Sequence, residues 1–218
     1  MPGTGGAMVD DLYYTRRRDP ALSHFLEDFR TILDGGERGR ALLDALRTPL
    51  DRLLDSRGWL EEAFLRAIPG EVATWALYRS HEPDLCLFTM VVPPGMRTRV
   101  HNHLTDGWVA LLRGGQVEHI YRRVDDGSRP GVAELERVSA DPVAEGELTP
   151  LLHPDLDIHA VETTSAGASV SLHVLANDLG TVERQTFDPE ARTVKSFVSG
   201  YSNVDGASAI GRSDRSGS

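Results

Sequence analysis

Pro94-Gly95-Met96-Arg97-Thr98-Arg99-Val100-His101-Asn102-His103-Leu104-Thr105-Asp106-Gly107-Trp108, continuing as Val109-Ala110-Leu111-Leu112-Arg113-Gly114, is the stretch from which the rest of the chain can be read. Gly and Pro punctuate its ends and Val, Leu and Trp fill its second half, which predicts two short strands joined by a turn. Side chains alternate faces along a strand, so His101 and His103 project to one side and can share a metal ion. Two neutral imidazoles suit a divalent ion of the iron, nickel, copper or zinc type. His-x-His also fits an exposed strand with two polar residues, but Gly95 and Gly114 bracket the pair as turn residues would.

The rest of the composition narrows the function. The chain has 218 residues, enough for one sizeable domain with added helices or tails. Its formal net charge of -10 leaves no basic surplus for a nucleic-acid partner. A single cysteine, Cys86, allows no intramolecular disulfide and fits a reducing compartment; between Leu85 and Leu87 it reads as a buried strand thiol. No apolar run approaches the ~20 residues that span a bilayer. Residues 1–11 are rich in Gly and acid rather than basic and then apolar, so no signal peptide and a cytoplasmic location are expected.

Along the chain, residues 1–18 read as a flexible leader ending in Arg16-Arg17-Arg18. Residues 19–70 carry helical periodicity. Leu22, Phe25, Leu26, Phe29, Ile32 and Leu33 form one stripe, stopped by Gly35-Gly36; Leu42, Leu43, Leu46, Leu50, Leu53 and Leu54 form a second, with a bend expected at Pro49. A third, short helix is predicted from Trp59, Leu60, Phe64, Leu65 and Ile68, and such stripes are packing surfaces for one outer face of a barrel. After Gly70 the rhythm shortens to strands over 72–78, 85–92, 100–103, 108–112, 117–122, 133–138, 147–152, 158–162, 169–175 and 183–187, with Asp125-Asp126-Gly127 beginning a turn. Many short strands between Gly and Pro turns indicate a sandwich or barrel, over 71–203. From 204 to 218 the chain is Gly, Ser, Ala and Asp, and a disordered tail is expected.

Gly95, His101-x-His103 and Gly114 resemble the first motif of the cupin superfamily, small all-β double-stranded β-helix barrels that hold a metal inside. In most metal cupins a Glu follows the second His; here that slot falls on Gly107. Loss of this carboxylate resembles the thiol dioxygenase branch, the cysteine and 3-mercaptopropionate dioxygenases, which use three histidines. Ser171-Leu172-His173-Val174 and Phe197-Val198-Ser199-Gly200-Tyr201-Ser202-Asn203 also look like the bacterial members. The resemblance implies a third ligand in Leu152-His153-Pro154-Asp155-Leu156-Asp157-Ile158-His159-Ala160-Val161. His159 matches the second cupin motif, whereas His153, beside Pro154, reads as a surface or outer histidine.

What the resemblance implies is an enzyme that uses Fe(II), with Ni(II) as the other metal, and oxidises the sulfur of a small thiol carboxylate with O2 to a sulfinate. A divalent ion on three neutral nitrogens keeps its full charge and favours a thiolate at an open position. Ser171 and His173 would be catalytic, as two members of a Ser-x-His-x-Tyr relay whose last place is here Leu175; a lost hydroxyl donor of that kind is worth about 2–4 kcal/mol. Alternatively the pair only satisfies itself in the barrel wall. Arg184, Arg99 and Trp108 are the expected substrate contacts, with Arg184 gripping the carboxylate or else pairing with Glu183. A second anchor position of the family falls on Thr74. Two other outcomes stay open: a natural-product cupin, nickel-dependent, that rearranges cysteine toward a sulfonamide, and a non-catalytic cupin that binds a small acid. A monomer or homodimer without membrane or nucleic-acid partners is expected.

Overall fold

The structure, a computed structural model, describes residues 12–15 and 19–204. Helix α1, Pro20–Asp34, starts where its sequence says it should: the Asp19 carboxylate accepts the Ala21 amide at 2.9 Å, and Pro20 occupies the first turn, where no amide is needed. Leu22, Phe25, Leu26, Phe29 and Leu33 are its buried stripe. Helix α2, Gly39–Asp55, buries Leu42, Leu43, Leu46, Leu50 and Leu53. It runs through Pro49, because the leucines on either side of the proline anchor the buried face despite one lost backbone bond.

The expected third helix is reduced to one 3-10 turn, Glu62–Leu65. Its carbonyls are taken by the sheet instead: the Thr89 hydroxyl donates to the Phe64 carbonyl and the Trp75 indole to that of Arg66, at 2.9 Å. Tertiary partners have outcompeted the helical ladder in a segment too short to hold one alone.

Twelve strands form two antiparallel sheets of six. The first is ordered β1 (Leu12–Tyr13), β2 (Ala73–His81), β3 (Asp84–Val92), β10 (Ser169–Leu175), β5 (Gly107–Arg113), β8 (Leu148–Leu151). The second is ordered β12 (Thr193–Phe197), β11 (Arg184–Asp188), β4 (Val100–His101), β9 (Ile158–Thr163), β6 (Gln116–Arg123), β7 (Leu135–Val143). Two of these, β1 and β12, were not expected. Leu12 and Tyr13 pair with Arg79 and Tyr78, so at least this part of the presumed leader is structured. The remainder of the leader up to residue 11, its arginine triplet and residues 205–218 of the tail lie outside the described residues.

Strand alternation gives the first sheet two apolar faces. Leu85 and Leu87 of β3, Ala110 of β5 and Leu172 and Val174 of β10 face outward and pack with the stripes of α1 and α2. Cys86, Phe88, Met90 and Val92 of β3, Val109 and Leu175 face inward, where Val161 of the second sheet meets them. Each fully buried side chain of this kind contributes about 1.5–3 kcal/mol relative to exposure. Burial pushes the Cys86 thiol up to about 12, which keeps it an inert core residue. The sheets end on edge strands that carry Pro142 and Pro150, where a missing donor is tolerated. Between those two edges, β7 and β8, lies an open groove of about 640 Å³.

Gly107 has a steric reason to be glycine. A Cβ there would lie 2.1 Å from the Val174 carbonyl oxygen and 3.0 Å from the Leu175 Cα. The position at which the resemblance expects a carboxylate thus has no room for any side chain while β5 and β10 stay paired. Gly107→Ala should cost roughly 1–3 kcal/mol, as overpacking does, read as a lower urea midpoint. An unchanged midpoint would mean that the two strands are not so closely apposed.

Candidate metal centre

His101 ends β4, the short strand between β11 and β9, and its cross-strand partner on β9 is His159. His103 follows two residues later, on the loop after β4. The three rings stand in a triangle, with centroids 4.8 Å apart for His101 and His103, 5.0 Å for His101 and His159, and 4.7 Å for His103 and His159. One ligand nitrogen from each lies within 4.8 Å of the others. His103 and His159 are buried and His101 is partly open to solvent.

Each ring is held by its Nδ1. That of His101 meets the Arg99 carbonyl at 2.9 Å, that of His103 the Asp157 carbonyl at 3.1 Å, and that of His159 the Glu118 carboxylate at 2.6 Å. All three partners are acceptors, so each Nδ1 carries the proton and each Nε2 presents a lone pair. The His159 Nε2 is buried with no hydrogen-bond partner. Burial first, and the neighbouring His159 second, hold His101 and His103 well below the usual histidine range, so both are neutral donors at neutral pH. An orphaned buried nitrogen flanked by two free lone pairs is a donor set that fits a divalent cation.

The loop that carries His103 is fastened from behind. One Asp157 carboxylate oxygen accepts the His103 and Leu104 amides at 2.8 and 3.0 Å, and the other meets His153 Nδ1 at 2.8 Å. His153 is therefore an outer histidine, half exposed, as its place beside Pro154 suggests. Asp106 extends the fastening to the helices: it accepts the Gly39 amide at 2.8 Å and the His153 amide at 3.0 Å.

Ser171 and His173 both face inward on β10, with Ser171 Oγ 3.1 Å from His173 Nε2. The pair does not satisfy itself fully, because the His173 Nδ1 is buried without a partner. Its ring stacks on Phe88 at 4.4 Å, and burial lowers it to about 3, so it is neutral. Leu175, at the relay's third place, is fully buried on the same inner face. Tyr201 packs into that cluster too, but its hydroxyl is engaged, donating to Asp178 at 2.8 Å and accepting the Gly180 amide at 3.1 Å.

Arg184 is 5% exposed and does not pair with Glu183, which is exposed. Two residues along β11 from Thr186, which pairs with His101, it shares the histidines' face. Its guanidinium donates to the Asn102 carbonyl and to Ser199 Oγ, both at 2.9 Å, and lies over the Phe197 ring at 4.6 Å. Its Nε is buried with no partner, and burial pulls its pKa down to about 10.

Two expected contacts are placed elsewhere. Trp108 faces the helices, not the interior: its indole donates to the Leu43 carbonyl at 2.9 Å and Arg47 stacks over it at 5.8 Å. The cause is parity, since Val109 and Leu111 take the inward positions of β5 and leave Trp108 outside. Arg99 has an exposed side chain and serves His101 through its backbone carbonyl. Sequence reasoning missed Glu118 and Phe88. Only the strand parity that sets Gln116 and Glu118 against Val117 and His119 could have signalled the first.

No protein-family model matches the chain. Among solved structures it is similar to an uncharacterized conserved protein with a double-stranded β-helix domain from Klebsiella pneumoniae, at 13% identity over 56% of this chain and 90% of that one, with a TM-score of 0.41. It is also similar to a cupin superfamily protein from Desulfitobacterium hafniense, at 15% identity over 57% and 94%, with a TM-score of 0.40. A third is the polyketide cyclase RemF from Streptomyces resistomycificus, at 16% identity over 55% and 79%, with a TM-score of 0.37. The fold is an all-β pair of antiparallel six-stranded sheets with the three histidines on the inner face. Its inner histidines form a site that could hold a metal ion. Among the described residues no helix is long and apolar enough to cross a membrane.

Proposed function

We propose that the protein is a metal-dependent oxygenase that converts a small thiol carboxylate to its sulfinate. The observation that carries this reading is a buried guanidinium without a carboxylate partner, set in the same interior as three metal-ready imidazoles and no acid among them. An Arg desolvated in this way is stabilised by an incoming anion. Iron(II), or nickel(II), held by His101, His103 and His159, would supply a redox-active Lewis acid able to activate O2 and to lower the pKa of a thiol.

The chain's own residues do the rest. Arg184 fixes the substrate carboxylate and so orients the thiol end toward the histidines. His173, neutral and with Nδ1 free, offers a hydrogen bond where the family's tyrosine would have offered its hydroxyl. Leu175 and Phe88 present an apolar wall that keeps bulk water from the reacting sulfur. In the overall reaction, R–SH plus O2 gives R–SO2H: both oxygen atoms pass to sulfur, which loses four electrons to them.

The test is anaerobic loading of the apoprotein with Fe(II) or Ni(II), addition of cysteine or 3-mercaptopropionate, and measurement of oxygen uptake and product mass. The expected product has gained two oxygen atoms on sulfur. Loss of carbon with nitrogen moved to sulfur would identify a rearrangement toward a sulfonamide instead. Metal binding without uptake on any thiol would sink the oxygenase reading and leave a small-acid-binding cupin.

A further inference from the structure

The histidine triad contains no acid, yet a carboxylate stands directly behind one of its members. Glu118 lies on β6, opposite Val161 of β9, and therefore shares the inner face with His159, opposite Ile120. It is 8% exposed, and its Oε1 is 2.6 Å from His159 Nδ1. The other two rings rest on neutral backbone carbonyls. Among the described residues Glu118 is the one carboxylate within hydrogen-bond distance of a ring nitrogen of the triad: Asp157 reaches His103 Nδ1 through its carbonyl at 3.1 Å, while its carboxylate stands off at 3.8 Å, occupied by the His103 and Leu104 amides and by His153.

We propose that Glu118 is a positioning residue that returns to the metal centre, from behind His159, the negative charge that Gly107 omits. The omission is enforced, since a Cβ at residue 107 would collide with the Val174 carbonyl. Without compensation, a divalent ion on three neutral imidazoles would share the interior with the positive Arg184. A carboxylate accepting Nδ1–H fixes the tautomer of His159, draws negative charge onto the ring and makes Nε2 a stronger donor. Glu118 also tolerates burial there. It borders both a small interior cavity, beside His159, Ser171 and His173, and the open groove between β7 and β8, so water reaches it from the outer side.

This inference rests on the metal reading of the triad but not on the reaction proposed for it. The test uses the full chain without thiol or oxygen, with Ni(II) or Fe(II) affinity measured by competition against a chelator. Glu118→Gln keeps an acceptor of the same shape and removes the charge; Glu118→Ala removes both. Affinity should fall about 10–100-fold in E118A, the range for losing an outer partner of a ligand histidine, and about tenfold in E118Q. The Fe(III)/Fe(II) potential of E118Q should rise, because the oxidised ion loses more from a missing negative charge. Glu147→Gln, which lines the same groove, should change neither. Wild-type affinity and potential in E118Q would overturn the charge role. Unchanged affinity in E118A, with only a lower melting temperature, would make Glu118 a fold element. A wild-type protein that binds no metal would remove the centre itself, and metal binding that depends on Glu118 without thiol-dependent oxygen uptake would overturn the reaction and leave this role standing.

Discussion

His159→Ala should abolish retention of Fe(II) or Ni(II), whereas His153→Ala should leave affinity within a few-fold of wild type. The two histidines lie six residues apart in one loop-and-strand segment, and both touch a carboxylate. They differ in what their second nitrogen meets. His159 is buried with an orphaned Nε2 turned toward two further imidazoles, while His153 is half exposed against Asp157. Losing one of three ligands should exceed the ~10–100-fold that follows loss of an outer partner. Equilibrium dialysis of the loaded proteins reads the difference, and the melting curve of each apoprotein shows that both fold. Equal retention by the two variants would detach the metal from the triad.

The second large effect is expected at Arg184. Arg184→Met should raise KM for a thiol carboxylate about 100-fold while changing kcat much less, because a charge-assisted grip on a carboxylate is worth about 2–3 kcal/mol and is made in the ground state as well. Arg184→Lys should fall between, since it keeps the charge and loses the fork. A purely structural role predicts something else. The guanidinium has no anionic partner to leave stranded, only the Asn102 carbonyl and Ser199 Oγ, so R184M should cost the apoprotein no more than about 1–3 kcal/mol. A strong fall in stability with an unaltered KM would assign Arg184 to the fold alone.

The barrel was legible because its evidence is local. Short apolar runs between Gly and Pro turns mark β3, β5 and β10, and the leucine stripes mark α1 and α2. His101 and His103 could be singled out as a His-x-His pair bracketed by Gly95 and Gly114, and His159 through its resemblance to the second cupin motif. What failed depended on distant partners. The third helix lost its carbonyls to Thr89 and Trp75, which no local periodicity records. Trp108 is expected at the substrate, but β5 can present either parity, and only packing against α2 decides that it faces the helices. Glu118 escaped notice because its role exists only across the β6–β9 pairing, 41 residues from the histidine it holds. The short strand β12 carries no buried residue and so no clear alternation.

The central claim is a protein-derived ligand set of three imidazoles with no carboxylate bound to the metal. X-ray absorption on the Fe(II)- or Ni(II)-loaded chain, with multiple scattering used to count imidazole rings, tests it most directly. The account predicts three rings, one each from His101, His103 and His159, and the loss of one ring in His159→Gln. Two rings or fewer in the wild-type protein, or a protein carboxylate in the first coordination sphere, would contradict it.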